Sequence, residues 1–293
     1  MSDVAAIVVT YNRKRLLKEC LDSLLHQSFK TDIIVIDNMS TDGTKQMIQS
    51  LIDNNQIIYH CTGKNIGGAG GFSEGIKFAY KLGYNFFWIM DDDCIPEFST
   101  LKQLMIADYQ LKGRYGFLSS KTLWKNGEIC KMNVQRKSMF KPNRDFQTDL
   151  VPICMASFVS LFFRRKIVTE FGLPIKEFFI WTDDWEFTRR ISIKYKSYLV
   201  NSSIVHHKSA SNIGANIATD SHSRLGRYKF LYRNDVFLYK REGIKGFFYE
   251  LIRLIYHSAK ILFGAPDSKM LRLKILFIGT LSGIKFNPKI EKI

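Results

Sequence analysis

Short unbroken apolar runs alternate with apolar residues at helical spacing through the first hundred positions. Ala5-Ala6-Ile7-Val8-Val9-Thr10 has no polar face, as a strand covered on both sides of a sheet requires. Leu16, Leu17, Cys20, Leu21, Leu24 and Leu25 then recur every three or four residues, predicting an amphipathic helix over 14–27. Residues 33–36, 57–59 and 86–90 are three more strand-like runs. Between them, Met47, Ile48, Leu51 and Ile52 mark one helix, and Phe72, Ile76 and Ala79 another. This alternation predicts an α/β fold. Its mostly parallel sheet carries helices on both faces, joined by right-handed crossovers.

Beyond residue 97 the pattern loosens. Phe98, Leu101, Leu104 and Met105 mark a helix, while 119–149 is polar, basic and interleaved with aromatics. That stretch suits strands plus a mobile loop, or a solvated insertion. Residues 151–163 are apolar enough to be buried, and 197–200 suit a strand. From Gly243 onward, Phe247, Phe248, Leu251, Ile252, Leu254 and Ile255 lead into further apolar residues. Lys245, Arg253, Lys260, Lys269, Arg272 and Lys274 lie among them. Such helices suit an anionic membrane interface, and equally an appendage packed on the rest of the chain or on a partner.

With 293 residues, 46% of them hydrophobic, the chain can bury a substantial core. Lys and Arg exceed Asp and Glu by 16, which suits an anionic partner such as a phosphorylated substrate or anionic lipid. No zinc-finger spacing and no basic low-complexity tail supports nucleic acid. Cys20, Cys61, Cys94, Cys130 and Cys154 are odd in number, scattered and without a C-x-x-C pair, as expected of reduced thiols in the cytoplasm. The apolar run at 4–10 is too short for a signal sequence, and no charge-free run reaches the ~18–20 residues of a membrane span.

The candidate chemistry lies in two acidic clusters. Asp91, Asp92 and Asp93 end the apolar run Phe86-Phe87-Trp88-Ile89-Met90. Adjacent carboxylates repel unless a cation lies between them. In extended backbone Asp91 and Asp93 project to one side, so they could share one hard divalent cation. A solvated loop capping the next helix is the alternative. The second cluster is Trp181-Thr182-Asp183-Asp184-Trp185-Glu186. Acids between aromatics suit a sugar ring, and apolar walls raise a carboxylate toward the pKa of a base. One acid could instead cap a helix. Asn65-Ile66-Gly67-Gly68-Ala69-Gly70-Gly71 is neither a dinucleotide fingerprint nor a P-loop. Its small residues would let a backbone approach a nucleotide, or serve a turn needing positive φ. His206 and His207 close an apolar run and are candidate ligands.

The series of motifs from about Ala5 to Ser209 resembles family 2 glycosyltransferases of the GT-A fold. Its carriers are 7–13, 36–44, 65–71, the triple Asp, 182–187 and His206. Pairing the triple Asp with Asp-Asp-x-Glu-aromatic looks most like bacterial galactofuranosyltransferases, with rhamnosyltransferases using dTDP-rhamnose as near neighbours. Thr182 stands where the galactofuranosyl pattern usually has Trp.

The resemblance implies a catalytic domain over 1–225, with a nucleotide-sugar half (1–115) and an acceptor half (116–225), followed by a helical region (226–293). It implies that Thr10, Tyr11, Asn12, Arg13 and Asp37 hold the nucleoside and phosphates, while Asn65, Gly67 and Gly68 close over them. Asp91 and Asp93 would hold Mg²⁺ or Mn²⁺, completed by His206 or else His207, with Asp92 toward the sugar or ribose. Asp184 would be the base, with Asp183 its competitor, and Trp181, Trp185 and Glu186 would bind the acceptor. The implied reaction is inverting transfer from a UDP-sugar, with UDP-galactofuranose favoured, to a glycan or lipid-linked saccharide. The implied place is the cytoplasmic side of the membrane, peripherally bound. A non-catalytic nucleotide binder and a metal-dependent phosphohydrolase are the rivals from other classes.

Overall fold

The computed structural model describes residues 2–293. Its first half runs β1 (Val4–Thr10), α1 (Lys14–Leu25), β2 (Asp32–Asp37), α2 (Thr44–Met47), α3 (Gln49–Asp53), β3 (Ile58–Cys61), α4 (Gly67–Lys81) and β4 (Phe86–Asp91). β1 pairs in parallel with β2 on one side and with β4 on the other, and β2 pairs in parallel with β3. The chain therefore steps outward to β3 and then crosses back to place β4 beyond β1. That reversal leaves a crevice past the carboxyl ends of β1 and β4, where Thr10 and Asp91 sit.

The two-sided apolar pattern of β1 now has its reason. Val4, Ala6 and Val8 pack on one face of the sheet with Leu17 and Leu21 of α1. Ala5, Ile7 and Val9 pack on the other with Phe72 and Ile76 of α4. Both sets are almost wholly buried, so a polar residue at any of these positions would lose its water without replacement.

The second half adds β5 (Cys94–Pro96), α5 (Thr100–Gln110), β6 (Leu118–Trp124), β7 (Arg136–Ser138), β8 (Lys141–Pro142), β9 (Leu150–Ile153), β10 (Leu161–Arg164), α6 (Arg165–Phe171), α7 (Asp183–Ser192) and β11 (Ser197–His207). The nine-stranded sheet has the order β3-β2-β1-β4-β10-β6-β11-β5, with β9 paired to β11. β10 lies antiparallel between β4 and β6. No α-helix separates β6 from β10 to carry a parallel crossover, so β10 returns in the opposite sense. The expected parallel sheet is thus the β3-β2-β1-β4 half, and the rest is mixed.

Three helices follow: α8 (Tyr228–Lys240), α9 (Gly243–Gly264) and α10 (Lys269–Lys285). Gly279 and Gly283 let α10 lie close on α8: a Cβ on Gly283 would come within 2.6 Å of the Val236 side chain. α8 in turn joins the body of the fold, since Phe237 packs with Ala69, Ile175 and Phe178. Past α10 the chain returns, and Leu173 N donates to Glu291 O at 2.9 Å. Arg253 and Arg272, expected among the cations of a basic rim, are instead taken inward. Arg272 is 1% exposed and donates to the carbonyls of Ile217 and Asp220.

Candidate active site at the sheet reversal

The triple Asp occupies the crevice, and the structure supplies cations that are not adjacent in sequence. Arg13, just past β1, donates to Asp93 Oδ2 at 2.9 Å and to Asp92 Oδ1 at 3.3 Å. Thr10 Oγ1 donates to Asp92 Oδ2 at 2.7 Å. His207 Nε2 lies 3.1 Å from Asp93 Oδ1, and its Nδ1 is 2.7 Å from Asn133 Oδ1. Burial opposes a proton on His207, but Asp93 and Asp91 outweigh it and lift its pKa to about 10. Burial would likewise raise Asp93, yet His207 and Arg13 hold it below the usual carboxylate range. Asp91 lacks such partners: burial and the Asp93 charge push it up to about 7. Burial takes Asp92 to about 6, against the pull of Arg13.

His206, the expected metal partner, is turned away. Its Nε2 lies 3.0 Å from Glu97 Oε1. The cause is strand parity: in the antiparallel pairing of β11 with β5, His207 stands opposite Cys94 and His206 opposite Ile95. The alternative, His207, is the one beside Asp93.

The other residues expected around a nucleotide are mostly engaged locally. Tyr11 is 43% exposed at the mouth of the crevice. Asn12 accepts from Thr41 N at 2.7 Å, and Asp37 accepts from Ser40 N and the Tyr59 hydroxyl, both at 2.8 Å. Asn65 Oδ1 accepts from Gly67 N at 2.9 Å. The glycine run is the first turn of α4 and not a loop before it, and packing accounts for most of it. Gly67 has φ +76, and a Cβ there would sit 2.1 Å from the Phe179 carbonyl oxygen; one on Gly71 would meet Val9 at 2.5 Å. Gly68 is the exception, since a Cβ there would meet nothing within 4 Å.

The second cluster sits at the start of α7, on a strained approach. Phe179, Trp181 and Thr182 all have φ between +66 and +67, the left-handed region that costs a non-glycine residue of order 1–3 kcal/mol. Two residues of α8 hold this loop. Asn234 Nδ2 donates toward the carbonyls of Phe178, Ile180 and Trp181, and Asp235 accepts from Thr182 Oγ1 at 2.6 Å. Neither stands among the expected site residues, although the polar run Arg233-Asn234-Asp235 in a helix rich in aromatics was a signal. Asp183 is raised to about 7, chiefly by burial. Asp184 goes well above the normal carboxylate range through burial, the Asp183 charge and Asp91. The two acid clusters therefore lie within electrostatic reach of one another.

Glu186 and the tryptophans are placed differently from expectation. Glu186 is 2% exposed, and its two oxygens accept from Arg190 at 3.0 Å and Arg241 at 2.9 Å. A carboxylate so paired and buried ties α7 to the end of α8 and is not presented to solvent, where an acceptor would have to reach it. The Arg136 guanidinium covers a face of Trp185 at 4.2 Å from the ring centroid. Trp181 tilts against Tyr228 at 5.1 Å.

A hard divalent cation fits the first cluster. Ligand atoms of Asp91, Asp93 and Cys94 lie within 4.8 Å of one another, and buried Asp93 Oδ1 has the His207 ring beside it as a charge contact but no well-aligned hydrogen bond. The carboxylates suit such an ion; the Cys94 thiol, pushed well up by burial, does not. The site thus combines oxygen atoms suited to a cation at the sheet reversal with a carboxylate pair whose affinity for protons is raised.

Comparison with known proteins agrees with this geometry. The sequence profile of the family described as Glycosyl transferase family 2 matches residues 5–172. Galactofuranosyltransferase GlfT1 of Mycolicibacterium smegmatis is 27% identical over 207 residues, covering 64% of this chain and 65% of that protein. Poly-beta-1,6-N-acetyl-D-glucosamine synthase of Staphylococcus aureus is 22% identical over 205 residues, covering 68% of this chain and 46% of the synthase. The chain thus spans less than two thirds of the length of these relatives. Among solved structures, S. aureus TarS superposes with a TM-score of 0.57 at 17% identity, covering 97% of this chain and 44% of TarS. GalNAc-T7 with UDP, GalNAc and Mn²⁺ gives 0.59 at 15% identity, covering 80% and 49%.

Proposed function

The chain belongs to glycosyl transferase family 2, and on that premise we propose that it is an inverting, metal-dependent glycosyltransferase. Its donor is UDP-galactofuranose, and its acceptor a hydroxyl of a glycan or lipid-linked saccharide in bacterial surface polysaccharide synthesis. The observation that carries this reading is the presence of two acid clusters that feel one another's charge, one at the sheet reversal and one at the start of α7. One is rich in oxygen ligands, and the other holds a carboxylate pair whose affinity for protons is raised by burial. The donor sugar rests on the likeness to galactofuranosyltransferase GlfT1.

In this reading Asp184 accepts the proton of the acceptor hydroxyl as its oxygen attacks the anomeric carbon. The bond from that carbon to the diphosphate breaks on the opposite side, UDP departs, and the configuration inverts. Asp91 and Asp93 would hold a divalent cation, which would supply positive charge for the leaving diphosphate. Arg13 fixes the carboxylates of Asp92 and Asp93, and the α8 contacts hold the base loop.

The test is nucleotide release from UDP-galactofuranose, dTDP-rhamnose and UDP-N-acetylglucosamine, with and without a lipid-linked saccharide acceptor. Acceptor-dependent UDP release from the first donor is expected. Transfer from dTDP-rhamnose alone would make the protein a rhamnosyltransferase. Release that ignores the acceptor would make it a phosphohydrolase, and binding without turnover of any donor a nucleotide-binding protein.

A further inference from the structure

Helix α9 is amphipathic in the reverse sense. A helix packed on a domain normally turns its apolar stripe inward and its charges to water. Here Glu250, Arg253 and His257 point inward, while Lys245 stays exposed. Arg253 pairs with Asp235 of α8 and, at 3.0 Å, with Glu250, while His257 Nδ1 meets the Tyr232 hydroxyl at 2.9 Å. The outward stripe is Phe247, Phe248, Leu251, Ile252 and Ile255, continued by Phe263, which is 89% exposed. α10 extends this surface with Met270, Ile278, Leu281 and Ile284, each more than half exposed. Between the two helices runs an open groove of about 340 Å³ walled by Leu254, Ile255, Leu262, Phe263 and Phe277. A contiguous apolar patch of this kind marks a binding surface.

Charge decides what covers it. The three acids of residues 243–293 are all turned to internal partners: Glu250 to Arg253, Asp267 to Arg272, and Glu291 to Lys77 and Lys176. Lys245, Lys269, Lys274 and Lys285 are exposed on the same helices, with no acid partner among the described residues. The surface is therefore apolar with an uncompensated positive rim. A second copy of this face would bring like charges together, whereas anionic headgroups complement them. No helix is long and apolar enough to cross a membrane, so contact along the helices is the geometry on offer.

We propose that the α9–α10 face docks on an anionic lipid bilayer, with both helices lying in the interface plane and the groove receiving an acyl chain. The docking rests on these two helices alone and does not depend on the reaction proposed above.

The test is sedimentation of the full chain with phosphatidylcholine vesicles, with and without phosphatidylglycerol, at low and high salt. Binding to the anionic vesicles is expected, weakened by salt. It should fall at least about tenfold in Ile252→Glu/Ile255→Glu and again in Lys245→Gln/Lys269→Gln/Lys274→Gln. Circular dichroism and melting should match the parent, because these side chains face outward. Failure of the parent to sediment overturns the proposal, as does undiminished binding by the folded glutamate variant. A dimer in light scattering that Ile252→Glu dissociates would assign the face to a second copy and also overturn it. Nucleotide release with a soluble acceptor reports on the reaction separately.

Discussion

Asn234 Nδ2 lies 2.9 Å from the carbonyl oxygen of Trp181, and the same amide reaches the carbonyls of Phe178 at 3.0 Å and Ile180 at 3.1 Å. One side chain, wholly buried on α8, thus holds a loop with three left-handed non-glycine residues. Asn234→Ala removes the side-chain donor of the Ile180 and Trp181 carbonyls, while Phe178 O keeps Ile180 N and Arg233, and should cost about 2–3 kcal/mol in chemical denaturation. Turnover should fall further than donor affinity, because the loop carries Asp183 and Asp184 while the cation ligands stand elsewhere. Parental turnover in the folded variant would show that the loop holds itself.

Asp184→Asn keeps shape and removes proton acceptance, so turnover should drop on the order of 10²–10⁴. Calorimetric UDP binding should stay near parental. If Asp183→Asn is inactive and Asp184→Asn is not, the base is Asp183. If both remain active, the second cluster is structural.

The same pair sets a pH dependence. Asp183 is raised to about 7 and Asp184 moves in the same direction, so they titrate as a unit. The active form is the deprotonated one, so log kcat should rise with pH well above the ordinary carboxylate range, through the titration of the pair, and level only beyond it. Stability carries the opposite sign. The folded protein holds protons that the unfolded chain has lost between the ordinary value of 3.8 and about 7, so this contribution is full at low pH and disappears as pH rises through 7. Rate and denaturation midpoint across pH 5 to 8 should therefore move oppositely.

Asp91 and Asp93 should separate in stability while agreeing in function. Asp93 is tied to Arg13 and His207, so Asp93→Ala strands a buried imidazolium and should cost about 3–5 kcal/mol. Asp91 gains little from its surroundings, and Asp91→Ala should be near neutral or stabilising in EDTA. Both should lose the Mn²⁺-dependent part of UDP binding. UDP affinity independent of Mn²⁺ in the parent would remove the cation from the reading.

Glu186→Ala should behave as a stability variant. It leaves the largely buried Arg190 without its carboxylate, which costs about 3–5 kcal/mol. In the folded fraction the acceptor KM should be unchanged. A raised KM at parental stability would restore Glu186 to the acceptor site.

The parallel half-sheet was legible because strands buried on both faces must be apolar throughout, and β1, β2 and β4 are. The two acidic clusters stood out in the sequence because adjacent carboxylates beside aromatic and apolar residues need a cap, a cation or a basic partner. What was hidden depends on contacts distant in sequence. Two adjacent histidines differ only in parity, and parity on β11 is set by its pairing with β5 and by an irregularity between Val200 and Ile204. The acids of Asp183-Asp184-x-Glu186 read as one cluster, but Glu186 is claimed by Arg241, 55 residues away. The glycines of α4 looked like a nucleotide cradle because their neighbours, Phe179 and Val9, are remote in the chain.

Gly67 and Phe179 carry one more consequence. Ala69 N donates to Phe179 O at 3.2 Å, Asn38 Nδ2 donates to Gly67 O at 3.0 Å, and the backbones meet where even a methyl group would collide. The start of α4 and the approach to Asp183 and Asp184 are thus pinned to each other at one point. On the proposed reading, a loop pinned there would not serve as a gate that one substrate opens for the other. Initial-rate kinetics should accordingly show random, not ordered, addition.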